Sequence, residues 1–312
     1  MKYIEKIIPI IILIIVLISM IFFSEVVIKS VSFSMNICIN NLFPAMLPFL
    51  LLSSILSNYG FVELTSHIFS PIMRNIFHLN GNCSYIFILS IISGSPANSK
   101  YIKELLDNKK ISISDANQIL LFSHFVNPIF IIGTIGTTFL DNKTYGFIIL
   151  ISHYVSNIII GIMFRKKEIP KNCINNSFFR IKPKKFIPTL ISSIKDTIDT
   201  LTIVFGIITS TLVFSSVLNT CFSFNPILNG FLEITSGLKY LSIKPTTILI
   251  KILLSTFFIS FGGLSIHAQV MSILDNKKIK YLPYLKARIL QGLISSTIVY
   301  FLYIIITKLS IS

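Results

Sequence analysis

The chain has 312 residues, of which 53% are hydrophobic and only 12% charged, and it carries a formal net charge of +15. A soluble domain carries about a quarter charged residues, so this composition points to lipid as the solvent. The basic residues gather in short loops between apolar runs and form no aromatic-interleaved patch, which argues for a membrane topology signal and against nucleic-acid binding.

The first apolar run, Ile7 to Phe23, is as long as a bilayer-crossing helix and follows Lys2 and Lys6 without a small-x-small cleavage site. It reads as a retained first span within residues 1–24. Leu42 to Leu56, extended at either end, is the next candidate crossing, and Glu63 comes after it. Tyr85 to Ile92 is different: eight residues make about 12 Å of helix, against a hydrocarbon core of about 30 Å. The string Ser93-Gly94-Ser95-Pro96-Ala97-Asn98-Ser99-Lys100 then interrupts the helix and predicts a re-entrant hairpin, with Gly94 permitting the reversal and Pro96 opening the outgoing half-helix.

Ile119 to Leu140 and Tyr145 to Phe164 read as full crossings, the first kinked at Asn127-Pro128, where a freed carbonyl would face a cavity. His124 and His153 read as packing residues. Arg165, Lys166, Lys167, Lys171, Arg180, Lys182, Lys184 and Lys185 crowd residues 165–186, which the positive-inside rule places in the cytoplasm. Leu190, Ile191, Ile194, Ile198 and Leu201 recur at helical spacing among Lys195, Asp196 and Asp199, predicting an interfacial helix that leads into the span Leu201 to Phe222. After Glu233, the apolar run Thr247 to Ser260 is interrupted by Phe261-Gly262-Gly263-Leu264-Ser265-Ile266-His267-Ala268-Gln269, predicting a second re-entrant hairpin; Leu285 to Ile306 is the last crossing.

Short strings recur in the same order. Leu52-Ser53-Ser54-Ile55-Leu56 resembles Phe214-Ser215-Ser216-Val217-Leu218 at an offset of 162, and Phe61-Val62-Glu63-Leu64-Thr65-Ser66 resembles Phe231-Leu232-Glu233-Ile234-Thr235-Ser236 at 170. Leu106-Asp107-Asn108-Lys109-Lys110-Ile111 is identical to Leu274-Asp275-Asn276-Lys277-Lys278-Ile279 at 168, which also aligns Gly94 with Gly262. The fold expected is therefore an all-α polytopic membrane protein of two repeats, 25–164 and 187–312, each with a re-entrant hairpin. Three crossings between the hairpins make the repeats inverted, with both termini inside and the two Leu-Asp-Asn-Lys-Lys-Ile strings on opposite faces.

Interrupted apolar segments at matching repeat positions point to a transporter's binding site, and a half-helix N-terminus suits an anionic or strongly polar ligand. The candidate contacts are Ser93, Gly94, Ser95, Asn98, Ser99 and Asn127 in the first half and Glu233, Gly262, Gly263, Ser265, His267 and Gln269 in the second. Each has a plainer alternative: the serines and Asn98 as helix caps, His267 as a core histidine bonded to a carbonyl, Glu63 and Glu233 as caps of interfacial helices. Lys100 serves the site or is a topology charge. The scattered Cys38, Cys83, Cys173 and Cys221 have no metal-ligand spacing, and no catalytic or nucleotide-binding motif occurs, so neither enzyme activity nor a cofactor is expected.

Pro71-Ile72-Met73-Arg74-Asn75-Ile76-Phe77, the Ser-Gly-x-Pro-x-x-x-Lys string at 93–100, Asn127-Pro128-Ile129-Phe130, His153-Tyr154, Phe231-Leu232-Glu233 and the run from Gly262 to Gln269 together resemble the YlbJ-type sporulation integral membrane proteins of the Gate, or nucleoside-recognition, group. The resemblance runs from about residue 25 to residue 305, with Ser95, Asn98 and Asn127 departing from the residues usual in that family. It implies a role in endospore formation, a place in the mother-cell-derived membrane around the forespore, and movement of dipicolinic acid toward the spore. A nucleoside-type permease and a non-transporting scaffold for spore assembly are the alternatives. The partners expected are a small-molecule anion, the bilayer, and either a second copy or other sporulation membrane proteins.

Overall fold

A computed structural model describes residues 2–168, 185–222, 227–274 and 278–309, which are helical apart from short connections. In chain order the α-helices are α1 (Lys2–Phe22), α2 (Ser24–Ile37), α3 (Phe43–Asn58), α4 (Phe61–Phe77), α5 (Cys83–Ser93), α6 (Ala97–Asp107), α7 (Ile113–Phe122), α8 (Lys143–Met163), α9 (Phe186–Phe222), α10 (Ile227–Leu232), α11 (Ile234–Ile243), α12 (Ile248–Phe261), α13 (Gly263–Ile273) and α14 (Tyr281–Leu309). Two π-helical stretches, Cys38–Leu42 and Phe130–Phe139, adjoin Pro44 and Pro128, whose missing N–H groups and bulky rings disturb the regular ladder.

Five helical runs are long and apolar enough to cross a bilayer: Ser24–Asn58, Lys143–Met163, Phe186–Cys221, Ile248–Ile273 and Tyr281–Lys308. Their polarity is that of a lipid-solvated bundle. On α14, Leu293, Phe301 and Ile305 face outward, while Arg288, Gln291 and Ser295 are buried. The predicted crossing at Leu42 to Leu56 is thus only the latter part of a run that begins at Ser24. The predicted interfacial helix around Leu190 is likewise continuous with the span beyond it in α9. Most of the basic connection predicted at 165–186 and residues 275–277 of the second repeated string lie outside the described residues, as does Cys173; Cys38, Cys83 and Cys221 are free thiols.

The predicted full crossing from Ile119 to Leu140 is broken: α7 ends at Phe122 and residues 123–127 are non-helical before Pro128. Asn127-Pro128 marks the end of that break. Its beginning is set by Ser123, which closes α7 through its N–H to the Ile119 carbonyl at 2.9 Å.

α5 and α6 form a helical hairpin. They pack along each other, and Asn82 just before α5 donates to the Lys110 carbonyl just after α6 at 2.9 Å. The second interruption is not a hairpin. α12 packs against α14 and α13 against α9, α10 and α6, and the two make little contact with each other. Successive positive φ values at Gly262 and Gly263, +95° and +58°, turn the chain without sending it back, so α12 and α13 are two halves of one broken crossing.

The consequence reaches topology. A wide depression is lined at once by Asp107 and Asn108 at the end of α6, Ser272 and Ile273 at the end of α13, Asn58 at the end of α3, and Asp196 and Asp199 near the start of α9. Lys280, just before α14, donates its N–H to Asn117 of α7 at 2.7 Å, so α7 and α14 set out from this same end. Among the described residues, the ends of α6 and α13, where the two repeated strings begin, thus lie at one end of the bundle, against the expectation of opposite faces. At 29 residues, α14 is about 43 Å long and carries the chain from this end to the other. A single inversion does not relate the halves: α2 and α3 run antiparallel to α9, whereas α6 runs beside α13 in the same direction.

Candidate functional site

Three breaks meet at mid-depth. The tip of the α5–α6 hairpin, residues 94–96, lies against the unwound segment 123–127: Ser95 donates its N–H to the Phe125 carbonyl at 2.6 Å. A Cβ at Gly94 would stand 2.6 Å from the Asn127 backbone nitrogen, and one at Gly262 would stand 2.9 Å from the His124 ring. The two glycines that the sequence aligns thus press on the same unwound segment from opposite hairpin and half-helix tips.

An unwound segment at membrane depth must place every N–H and C=O on a protein partner, because lipid offers none. Here the partners are identifiable. Asn157 donates to the His124 carbonyl at 2.8 Å, and the Tyr154 hydroxyl lies 2.6 Å from the Ile91 carbonyl and 3.3 Å from that of Val126. The Val126 N–H donates to His153 Nε2 at 3.1 Å, which fixes the lone pair on that nitrogen and assigns the proton to Nδ1, 2.9 Å from Ser260 Oγ. Asn127 donates to the Ala45 and Ile92 carbonyls at 3.0 and 3.1 Å. Arg288, wholly buried, donates to the Leu121 carbonyl at the end of α7 and to Gln291.

Beside these breaks lies a cavity of about 60 Å³, space for about four to six waters. Its lining includes Ser93, Ser95, Asn127, Glu233, Ser265 and Gln269 of the predicted contacts, with apolar walls from Leu42, Ala45 and Met46 of α3 and its approach and Val204 and Ile208 of α9. Three helix N-termini open on it: α6 through Ser95 and Pro96, α11 through Glu233, Ile234 and Thr235, and α13 through Ser265 and Ile266. The Ser265 hydroxyl and the Gln269 side-chain nitrogen are buried there and have no partner among the described residues.

The remaining predicted contacts lie off the cavity wall. Asn98 donates to Ser123 Oγ at 3.2 Å and accepts from Ser95 Oγ at 3.1 Å, so it ties the tip to the break. Ser99 is buried next to it, its N–H donated to the Pro96 carbonyl at 3.0 Å. Gly94, Gly262 and Gly263 shape the tips. His267 faces away, its Nε2 2.9 Å from the Phe261 carbonyl and its Nδ1 3.2 Å from the Tyr281 hydroxyl. Glu63 and Glu233, equivalent in sequence, part company: Glu63 pairs with Lys110 at 2.5 Å, whereas Glu233 caps α11, accepting from the Ser236 N–H at 2.8 Å and from the Thr235 hydroxyl.

Sequence reasoning misses Arg288 and Gln291 and sets His153 aside. The signal is present, since an arginine and a glutamine three residues apart inside an apolar crossing are functional candidates by default. α6 and α13 run from this cavity to the wide depression, whose volume is about 530 Å³ and whose wall carries Lys100, Lys103, Glu104, Asp196 and Asp199. Lys100 there donates to the Asp196 carbonyl at 3.1 Å.

The sporulation integral membrane protein YlbJ of Bacillus subtilis (strain 168) is 28% identical over 300 residues, a match that covers 84% of this chain and 74% of that protein. No family profile matches the chain, so the Gate grouping rests on the motifs alone, and no solved structure matches it. With its apolar crossings and this similarity over most of its length, the chain is a multi-pass integral membrane protein similar to that sporulation protein.

Proposed function

We propose that the chain is a sporulation permease for a small aromatic dicarboxylate, dipicolinate, carrying it from the mother-cell cytoplasm toward the forespore, and that it performs no enzymatic reaction. The observation that carries this reading is the convergence of three helix N-termini on one buried cavity with two unpartnered polar side chains. The starts of α6 and α13 carry no side-chain cap, and a helix N-terminus bears a partial positive charge of about half a unit, which suits carboxylate oxygens, while the apolar walls suit a ring. At about 60 Å³ the cavity is too small for the whole anion, so binding requires the tips to part from the segment 123–127.

The α5–α6 hairpin enters from the end that bears the wide depression and goes no further than the cavity, which fits a re-entrant element. That end also bears the ion pairs Lys110–Glu63 and Lys166–Asp115, with Lys103, Lys109, Lys278 and Lys280 nearby in sequence, and the positive-inside rule makes it cytoplasmic. Single cysteines replacing Asn108 and Lys278 in a cysteine-free background should both label from the cytoplasmic face with an impermeant maleimide, and one replacing Lys308 from the opposite face. Labelling of the first two from different faces would restore the inverted arrangement.

Proteoliposomes containing the purified protein should accumulate radiolabelled dipicolinate, with unlabelled dipicolinate competing and nucleosides not. Uptake of nucleosides in its place would support a nucleoside-type permease. Uptake of neither by protein of correct fold would leave a scaffold.

A further inference from the structure

The cavity that the three helix ends make attractive to an anion also holds a carboxylate. Glu233 is 2% exposed, lines the cavity, and has no basic side chain within ion-pair distance among the described residues. It accepts from the Ser236 N–H and the Thr235 hydroxyl, and a carboxylate charge there would repel an incoming dianion across a space only about 60 Å³ in volume. The hydroxyl of Ser265, on the facing half-helix and without a partner, supplies an oxygen to the same space, as does the side-chain amide of Gln269.

We propose that Glu233 and Ser265 form the site of a monovalent coupling cation, a proton or a sodium ion, whose arrival neutralises Glu233 and admits the anion. The proposal rests on the permease reading for its consequence but not for the ion site itself. Carriage of the cation with the anion would supply the energy source that a chain without a nucleotide site requires. The surrounding groups leave Glu233 without another neutraliser. On its own helix, Lys239 stacks on Phe33 with its Nζ 3.8 Å from the ring centre, and Tyr240 is approached by Lys244. On α12, Lys251 donates to the Ser242 carbonyl at 2.7 Å, and on α13, His267 is turned to Phe261 and Tyr281. The Cys38 thiol in the π-helical stretch is near enough to feel the Glu233 charge and cannot balance it. Cys221 of α9 is exposed.

The test has a readout that needs no substrate. The melting temperature of purified wild-type protein, Glu233→Gln and Ser265→Ala is measured in sodium chloride against choline chloride, and at pH 5.5 against pH 8. Ser265→Ala removes a hydroxyl without a bonding partner among the described residues, so it should fold as the wild type does. For sodium, the wild type should be stabilised by sodium over choline, with the effect lost in Glu233→Gln and weakened in Ser265→Ala. For a proton, sodium should have no effect, but the difference between wild type and Glu233→Gln should change with pH, since every other ionisable group is common to both. Dipicolinate binding is measured in parallel, and the cation should strengthen it between about 5- and 150-fold in the wild type and not in Glu233→Gln. A Glu233-dependent cation effect without dipicolinate binding would keep the ion site and reject the substrate. Dipicolinate binding that ignores pH and sodium equally in wild type and Glu233→Gln would keep the substrate and overturn the ion site, as would melting temperatures that respond identically in both.

Discussion

Alanine at Gly94 is expected to lower the melting temperature of the purified protein by on the order of 10 °C and to abolish uptake, whereas alanine at Gly206 should change neither for the worse. Gly94 has φ +82° and ψ 179°, a conformation essentially confined to glycine, and occupying it with another residue costs about 1–3 kcal/mol. The added Cβ would also meet the Asn127 backbone nitrogen at 2.6 Å, and a backbone atom held by its neighbours cannot step aside cheaply. Function should fail with stability because the clash pushes the hairpin tip off the unwound segment it is bonded to. At Gly262, with φ +95°, the obstacle is the His124 ring at 2.9 Å, so Gly262→Ala should fall between the two, and Gly262→Leu should block the half-helix tip outright. Gly206 has nothing within 4 Å of its Cβ position and sits within α9, where alanine is the better helix former by about 1 kcal/mol. Melting curves and dipicolinate uptake for the set would decide the matter; a Gly94→Ala protein as stable as the wild type would mean that the tip does not press on residues 123–127.

Local chemistry was legible in the sequence and long-range direction was not. Gly94 and Pro96 announce a reversal because of the backbone they permit and forbid, and the reversal is there. Gly262-Gly263 carries the same message in composition, yet the chain passes through it as a broken crossing. The difference lies in where each outgoing helix packs: α6 returns along α5 and its end is bonded to Asn82, while α13 finds its packing against α9, α10 and α6 and never returns to α12. No residue between 261 and 269 encodes that choice. The same holds for Ile119 to Leu140, where the hydropathy of a continuous span hides five unwound residues, because Asn157, His153 and Tyr154, which bond to their backbone, come from helix α8. Six of the twelve predicted contacts line the cavity, and they are those at helix starts or facing the breaks. His267, singled out as an ionisable residue in an apolar stretch, is instead bonded to the Phe261 carbonyl, the plainer alternative for a buried imidazole.

Arg288→Ala should be the most damaging single substitution in α14, lowering stability by more than about 4 kcal/mol, enough to prevent recovery of monodisperse protein. Arg288 is 0% exposed and forms none of the described ion pairs, so its value cannot lie in charge pairing. What it does is cap α7: its guanidinium donates to the Leu121 carbonyl, one of the last four carbonyls that a helix leaves without a partner, at the negative end of that helix. Its carbon end also lies 5.5 Å from the centre of the Tyr284 ring. Removing the side chain leaves that buried carbonyl orphaned, costing about 1–3 kcal/mol, and opens a large void, costing about 2–5 kcal/mol. Arg288→Met separates the two effects. Methionine refills most of the volume and ends the burial of a cation, so this variant should fold with a loss near the orphaned carbonyl alone. It should still transport poorly, because the end of α7, and with it the segment 123–127 between the two tips, is no longer held. Arg288→Lys, with one compact donor group in place of a fork, can reach Leu121 or Gln291 but not both, and should be intermediate. Melting temperature and uptake measured on the three variants test this assignment: equal stability of Arg288→Ala and wild type would remove Arg288 as the cap of α7, and full uptake by Arg288→Met would show that the broken segment works without it.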